Sequence, residues 1–305
     1  MRAVSAFVAV LLFLGTPSAC DAAPDASFDG LTIAAGAPGD VYHALGQALA
    51  GAARGTRVVT TGGSLDNLRL VAEGGADAGF ATVDTVTMAA HGDQPFRAAR
   101  PFVALARLYD DYLQIVVPAD SDIVRITDLA GRTVSTGPAG SGNAVVAARV
   151  LGPEVKTVQL SPADSAEALR TGRIDAFAVT GGLPVPAIQQ LSERHPIRLL
   201  SLRTEIADIQ SQHGEQYQAR TIPARTYGVR TEVETLGVAN VLFVRPDLPD
   251  DTAYRLTKLL FDAKADLVAA HAEARRLDRR QAPATFPVPL HPAASHYYRT
   301  QKPFT

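Results

Sequence analysis

Two short stretches, Gly74-Gly75-Ala76-Asp77-Ala78 and Gly172-Arg173-Ile174-Asp175-Ala176, decide the fold, because they match in Gly, Asp and Ala at an offset of 98 residues. Each follows a helical pattern and precedes an apolar run typical of a strand. A Gly-rich loop precedes each stretch, at 36–39 and at 137–140. The recurrence predicts two similar α/β lobes, with Asp77 and Asp175 positioning strand entries; chance similarity between two βαβ units is the alternative.

Outward from these stretches, short apolar runs alternate with helical patterns. We predict strands at 31–35, 57–61, 77–82, 102–108, 113–117, 133–135, 157–160, 176–180, 198–201 and 238–244. We predict helices at 41–53, 64–73, 85–91, 143–151, 162–171, 184–192 and 250–271. This alternation favours an α/β fold with a largely parallel sheet covered by helices. We expect the Pro-rich last thirty residues to wrap irregularly over the surface.

The length of 305 residues favours two domains. We expect the chain to cross between the lobes near 113–117 and 238–244. The first lobe then combines 29–116 with 244–305, and the second lobe is 117–243.

The first twenty residues resemble an export signal. Arg2 supplies a positive charge, and the apolar run at 6–14 is shorter than the roughly 20 residues that cross a bilayer. Pro17-Ser18-Ala19-Cys20 resembles a bacterial lipobox, with Pro17 where Leu is usual. Two alternatives follow, a lipid anchor on Cys20 or ordinary cleavage that releases a free protein. Both place the mature protein in the periplasm or elsewhere outside the cytoplasm.

Composition and spacing exclude several function classes. The net charge of −2 gives no bulk attraction to nucleic acid, and the single cysteine allows no disulfide framework. No His-Glu-x-x-His spacing, no Gly-Lys-Ser/Thr phosphate loop and no Gly-x-Ser-x-Gly elbow around Ser141 occurs. We therefore predict no catalytic residues, no cofactor, no metal site and no nucleic-acid partner.

Three Gly-rich loops, at 36–42, 61–67 and 137–143, fall where strands end and helices begin. Ligands in open α/β sheets bind at this edge, and the free N–H groups of helix N-termini favour anions. Ser64 and Ser141 could donate to a carboxylate or could simply cap their helices. We interpret Arg69 and Arg107 as surface residues.

Several motifs resemble the TAXI family, the extracytoplasmic solute receptors of TRAP transporters. They are Gly39-Asp40-Val41-Tyr42, Gly63-Ser64-Leu65-Asp66-Asn67-Leu68, Ala81-Thr82-Val83-Asp84, Leu108-Tyr109, Asp128-Leu129-Ala130-Gly131-Arg132-Thr133-Val134, Gly137-Pro138-Ala139-Gly140-Ser141-Gly142 and Gly182-Leu183-Pro184-Val185-Pro186-Ala187. Each motif alone is weak, but their order and spacing from about 31 to 261 are specific. Thr82-Val83 replaces the family's Gln-Ser and Asn143 replaces its Thr, which bears on the ligand more than on the fold.

The resemblance implies a periplasmic-binding-protein fold (type II-like) of two lobes hinged by two crossing strands. It implies a receptor, not an enzyme, that captures a small organic acid or amino acid, glutamate- or dicarboxylate-like, and delivers it to a TRAP-type permease in a separate chain. The implied ligand contacts are Tyr42, Gly63, Ser64, Asn67, Thr82, Asp84, Tyr109, Gly137, Ser141, Asn143, Gly182 and Pro184.

Structural roles are the alternatives for several of these residues. Tyr42 could pack its helix, Asp84 could cap one, Asn67 could be solvated, and Tyr109 could pack the hinge. Two other functions stay open: a ligand-sensing lipoprotein that presents its signal to a membrane sensor kinase, and a secreted hydrolase that uses Ser64 or Ser141 with a histidine.

Overall fold

The computed structural model describes residues 26–301, so the export signal and Cys20 lie outside the described residues. Within this range ten strands join into one continuous, strongly bent sheet. We call the layers around the first three strands the first lobe and those around the fifth to ninth strands the second lobe. No helix in 26–301 has the length and apolar character needed to cross a bilayer.

The elements alternate as the sequence predicts. The first lobe begins with β1 (Ala26–Ala35), α1 (Val41–Ala52), β2 (Ala53–Thr60), α2 (Ser64–Ala72), β3 (Ala78–Thr82) and α3 (Val83–His91). After β4 (Val103–Pro118), the second lobe contains β5 (Thr133–Ser135), α4 (Gly142–Val150), β6 (Lys156–Val158), α5 (Pro162–Arg170), β7 (Ala176–Gly181), α6 (Pro186–Ser192), β8 (Ile197–Leu199), α7 (Ile206–His213) and β9 (Tyr217–Ile222). The chain returns through β10 (Val233–Val244) and ends with α8 (Asp250–Asp262), α9 (Lys264–Ala270) and α10 (Pro292–Thr300).

Two long strands link the lobes. The sheet order is β2-β1-β3-β10-β4-β7-β5-β6, with β8 beside β4 and β9 beside β10. β4 pairs with β10 from Val103 to Tyr112 and with β7 from Tyr112 onward. β10 pairs with β9 up to Val238 and with β3 from Asn240. Both strands therefore change partners at the same level of the molecule, near the predicted crossings; the exact lobe boundaries stay a prediction.

The sheet is mixed rather than largely parallel, which corrects the prediction. β1 pairs in parallel with β2 and β3, and β5 pairs in parallel with β6 and β7. The crossing strands β4 and β10 run antiparallel to each other and to their other neighbours. The βαβ pattern describes each lobe and cannot show the direction of strands that join the lobes.

The predicted role of Asp77 and Asp175 is confirmed. The Asp77 carboxylate accepts a hydrogen bond from the Thr32 N–H (2.8 Å), and the Asp175 carboxylate accepts one from the Thr133 N–H (2.7 Å). In return the Asp77 N–H donates to the Thr32 carbonyl and the Asp175 N–H to the Thr133 carbonyl. The same clamp of two hydrogen bonds therefore ties the start of β3 to β1 in the first lobe and the start of β7 to β5 in the second.

Four parts of the prediction differ from the structure. The strands predicted at 102–108 and 113–117 are one strand, β4. The helix predicted at 250–271 is divided at Ala263 into α8 and α9. The Pro-rich end contains α10, whose buried Tyr297 stacks on Phe261 of α8 at 5.7 Å between ring centroids. The prediction also missed α7 and β9, because their polar sequences lack a clear apolar period.

One apolar core continues from lobe to lobe. It joins Leu65 and Val86 of the first lobe to Val146 and Ile206 of the second, with Ile115 of β4 between them. Further clusters cover the outer face of each lobe. The Gly-rich loops at the ends of the strands are thus held against each other by packed side chains.

Candidate functional site

Two Gly-rich corners meet where the lobes touch. We call residues 61–67 the first corner and residues 137–143 the second corner. The Leu65 N–H of the first corner donates a hydrogen bond to the Gly140 carbonyl of the second (3.1 Å). A Cβ on Gly142 would lie 2.9 Å from Ser64 Oγ and 3.1 Å from Thr82 Oγ1, so only glycine fits without displacing them. The corners therefore form one continuous surface at the N-termini of α2, α3 and α4.

Tyr42, Ser64 and Thr82 lie together in the first lobe. Ser64 is 2% exposed, and its Oγ accepts a hydrogen bond from the Thr82 N–H (3.3 Å) and lies 3.5 Å from the Tyr42 hydroxyl. The Tyr42 hydroxyl also donates to Oδ1 of Asn240 on β10, and its ring stacks on Phe80. Ser64 does not cap α2, whose N-cap is Gly63 with φ +124°.

Asp84 links the lobes from the first turn of α3. Its carboxylate is buried and accepts hydrogen bonds from the Thr85 N–H (2.8 Å) and from the hydroxyl of Tyr217 on β9 (2.7 Å). Burial raises the pKa of Asp84, while its hydrogen bonds and the charge of Arg149 on α4 lower it. A donor from the second lobe thus acts on an acid of the first.

Two asparagines predicted as ligand contacts make structural hydrogen bonds. In Asn67, Nδ2 donates to the Phe80 carbonyl (2.7 Å) and Oδ1 accepts from the Thr61 hydroxyl (2.5 Å). In Asn143, Nδ2 donates to the Thr136 and Ala178 carbonyls, both at 2.9 Å. Each asparagine ties its corner to the neighbouring strand, so the corner holds its shape; direct ligand contact by either stays a prediction.

Ser141 caps α4. Its Oγ accepts a hydrogen bond from the Ala144 N–H (3.3 Å) and donates to the Pro138 carbonyl (2.7 Å). Gly137, with φ +86°, packs directly against the Asn143 side chain. The second corner is therefore held by hydrogen bonds and packing within its own loop.

The loop after β7 meets the C-terminal part of the chain. A Cβ on Gly182 would overlap with the side chain of Glu273, which lies in a short 3₁₀ helix after α9. The Leu183 N–H donates to Oε1 of Glu273 (3.2 Å), and Pro184 follows through a cis peptide bond. This contact is a second bridge between the lobes.

Tyr109 lies on β4 opposite Asn240, whereas the predicted surface arginines form ion pairs. Tyr109 is 4% exposed and lines a small apolar cavity with Leu45 and Leu260. Arg69 pairs with Asp66, and Arg107 pairs with Asp110. Hinge packing therefore describes Tyr109 in this structure, and its contact with a ligand stays a prediction.

The sequence prediction missed three buried polar residues at this level. Asp111 is 8% exposed on β4, Asn240 is fully buried on β10, and Glu273 is 4% exposed. The pKa of Asp111 is raised to about 7, chiefly by burial; the neighbouring Asn240 amide lowers it, and the charge of Glu273 raises it. Asn240 interrupts the apolar run at 238–244, and that interruption was the available signal; Asp111 stands beside other polar residues of β4 and left no such signal.

The described residues show no metal centre: within 26–301 no group of three or more His, Cys, Asp or Glu side chains is placed to hold an ion.

The chain matches a family model and several solved structures. The model of the NMT1-like family matches residues 33–301. A binding protein component of an ABC phosphonate transporter from Pseudomonas aeruginosa has a TM-score of 0.52 and 10% identity over 82% of this chain and 79% of that chain. XAC2383 from Xanthomonas citri, bound to ATP, has a TM-score of 0.50 and 13% identity over 90% and 95% of the two chains. The periplasmic aliphatic sulphonate binding protein SsuA from Escherichia coli has a TM-score of 0.48 and 14% identity over 92% and 85%.

At 10% and 13% identity, the phosphonate-transporter component and XAC2383 show only that this chain shares their fold. Together with the two crossing strands, they confirm the predicted two-lobed α/β architecture of a binding protein.

Proposed function

Because this chain belongs to the NMT1-like family and has a two-lobed fold, we propose that it captures a small solute between its lobes and delivers it to a membrane permease. The observation that carries the proposal is the meeting of the two corners. Buried hydroxyl, carboxylate and amide groups from both lobes converge there, at the carboxyl ends of β1, β3 and β7.

The solute class we propose is a small organic acid or amino acid, glutamate- or dicarboxylate-like. Three helices begin at or beside the corners, and the positive ends of their dipoles favour a negative group. Charge-assisted hydrogen bonds contribute about 1.5–3 kcal/mol each. A few of them match the roughly 5.5 kcal/mol that shifts a two-state equilibrium from 1:99 to 99:1, so ligand binding can drive closure.

The permease we propose is of the TRAP type, in a separate chain. The ordered TAXI-like motifs support this partner, and several of those residues lie at the meeting of the corners. A solved relative belongs to an ABC phosphonate transporter, so an ATP-driven permease is the alternative partner. Uptake by a reconstituted permease that needs an ion gradient and no ATP supports TRAP; strict dependence on ATP overturns it.

We also propose that the mature protein works outside the cytoplasm, from its N-terminal pattern. Lipidation of Cys20 is tested by the mass of the mature chain.

The receptor function is tested by thermal stabilisation and small-angle scattering across a panel of amino acids and dicarboxylic acids. Binding of one class, with a higher melting temperature and a smaller radius, supports the proposal. A panel that changes neither quantity contradicts it. Stoichiometric labelling of Ser64 or Ser141 by a fluorophosphonate would instead indicate a hydrolase; in the structure these hydroxyls bond to Tyr42, Thr82, Pro138 and Ala144.

A further inference from the structure

A buried acid without a partner cation lies at the crossing of the two long strands. Asp111 is 8% exposed, and no ion pair in residues 26–301 includes it. Its neighbour Asp110 is different, because that carboxylate pairs with Arg107 and, at 2.7 Å, with Arg220. A buried charge is strongly unfavourable unless an opposite charge compensates it. When Asp111 is ionised, no cation within residues 26–301 compensates its charge.

A buried amide donor without a partner lies beside this acid. Asn240 is fully buried; its Oδ1 accepts from Tyr42, but its Nδ2 has no hydrogen-bond partner. In the β4–β10 register Asp111 faces Val238 and Tyr109 faces Asn240, so Asp111 and Asn240 are diagonal neighbours on one face. The Asn240 amide is close enough to lower the pKa of Asp111 without meeting hydrogen-bond geometry.

The charges around Asp111 further favour a cation next to its carboxylate. Glu273, Asp110 and Asp84 each act on Asp111 with negative charge. Arg276, the nearby cation on the C-terminal segment, is already paired with Glu273 at 2.8 Å. A ligand that carried only carboxylates would place further negative charge next to Asp111.

We propose that Asp111 recognises a protonated amine of the ligand, with the Asn240 amide donating to an acceptor beside that amine. An α-amino acid carries both groups on one carbon, an ammonium to donate to the Asp111 carboxylate and a carboxylate to accept from Asn240 Nδ2. The inference rests on the proposed receptor function and narrows its ligand from organic acids in general to amino acids.

Matched pairs of compounds test the proposal by titration calorimetry. We would compare L-glutamate with glutarate, L-aspartate with succinate, and further amino acids with their deaminated counterparts. In the wild-type protein the amino member of the pair that binds should bind at least about tenfold more tightly. Equal binding, or tighter binding of the member without the amine, overturns the proposal and needs no variant.

Two variants localise the effect. D111N keeps the shape of the side chain and removes its charge, and it should reduce the preference for the amine to about twofold or less. D110N is the matched control: Asp110 also acts on Asp111, but it pairs with Arg107 and Arg220, so its removal should change the preference much less than D111N does. A preference that D111N retains, or that D110N abolishes, contradicts the assignment to Asp111.

The outcomes separate this inference from the receptor function. Equal binding of both members of a pair leaves the receptor function intact and removes the amine subsite. No binding by any compound in the whole panel removes both.

Discussion

The two Gly-rich corners use the same residue types for different purposes. In the second corner the Ser141 hydroxyl caps its own helix and bonds to the Pro138 carbonyl. In the first corner Gly63 occupies the cap position, and the buried Ser64 hydroxyl turns toward Tyr42 and Thr82. The second corner is thus held by its own hydrogen bonds, whereas Ser64 of the first corner lies against Tyr42, on which the acids Asp84 and Asp111 both act with negative charge.

The largest expected effect is the pH dependence that Asp111 gives to the free energy of unfolding. The folded protein, in which the pKa of Asp111 is about 7, binds more protons than the unfolded chain, whose Asp has an ordinary pKa near 4. The free energy of unfolding should therefore fall as the pH rises from about 4 to about 7 and then change no further from this group. At about 1.4 kcal/mol per pKa unit the loss amounts to a few kcal/mol.

Urea unfolding at a series of pH values checks this sign. D111N should flatten most of the slope and be more stable than wild type above pH 7; a residual slope from the raised pKa of Asp84 has the same sign. If D111N and wild type show the same slope, Asp111 carries no such charge.

The next effect concerns the contact between the corners. The Cβ of Ala in G142A would press on Ser64 Oγ and Thr82 Oγ1, and overpacking of this kind costs about 1–3 kcal/mol. We expect G142A to weaken ligand affinity by about 5- to 150-fold and to enlarge the radius of the liganded protein. G152A is the control, because a Cβ there meets nothing within 4 Å. Unchanged affinity and radius in G142A would show that the corners need not meet.

The two serines should differ in stability. S64A leaves the buried Thr82 N–H without an acceptor, which costs about 1–3 kcal/mol. S141A removes an N-cap from α4 and costs about 1 kcal/mol. Chemical denaturation of both variants measures the difference, and a larger loss in S141A would reverse our assignment of the two roles.

The smallest difference is expected where the lobes are alike. D77A and D175A each remove a half-buried carboxylate that accepts from one strand N–H; Asp175 also lies 3.8 Å from Arg132, a partly exposed pair that adds little. We expect each to cost about 1 kcal/mol and the two losses to agree within about 0.5 kcal/mol. Denaturation curves test this, and clearly unequal losses would show that the repeated clamp does not play the same role in both lobes.

The corners and strand clamps could be predicted because they are local. Glycines that end helices, Asp77 and Asp175 before apolar runs, and serines at helix starts each leave a signal within a few residues. The alternation of strands and helices likewise predicted both lobes.

The chemistry at the strand crossing could not be predicted because it depends on distant contacts. Glu273 meets Leu183 across 90 residues, and Tyr217 meets Asp84 across 133. Asn240 lies beside Asp111 only through the antiparallel register of β4 and β10. No local pattern specifies these pairings, and the TAXI-like motifs do not include Asp111, Asn240 or Glu273.

The central claim is that the two corners hold one small ligand between them, and a crystal structure with the tightest-binding amino acid of the panel tests it most directly. We predict the ligand between Ser64 and the main chain of residues 137–142, with its nitrogen on Asp111. A ligand bound elsewhere, for example in the surface groove lined by Pro118, Arg170 and His195, would contradict the account.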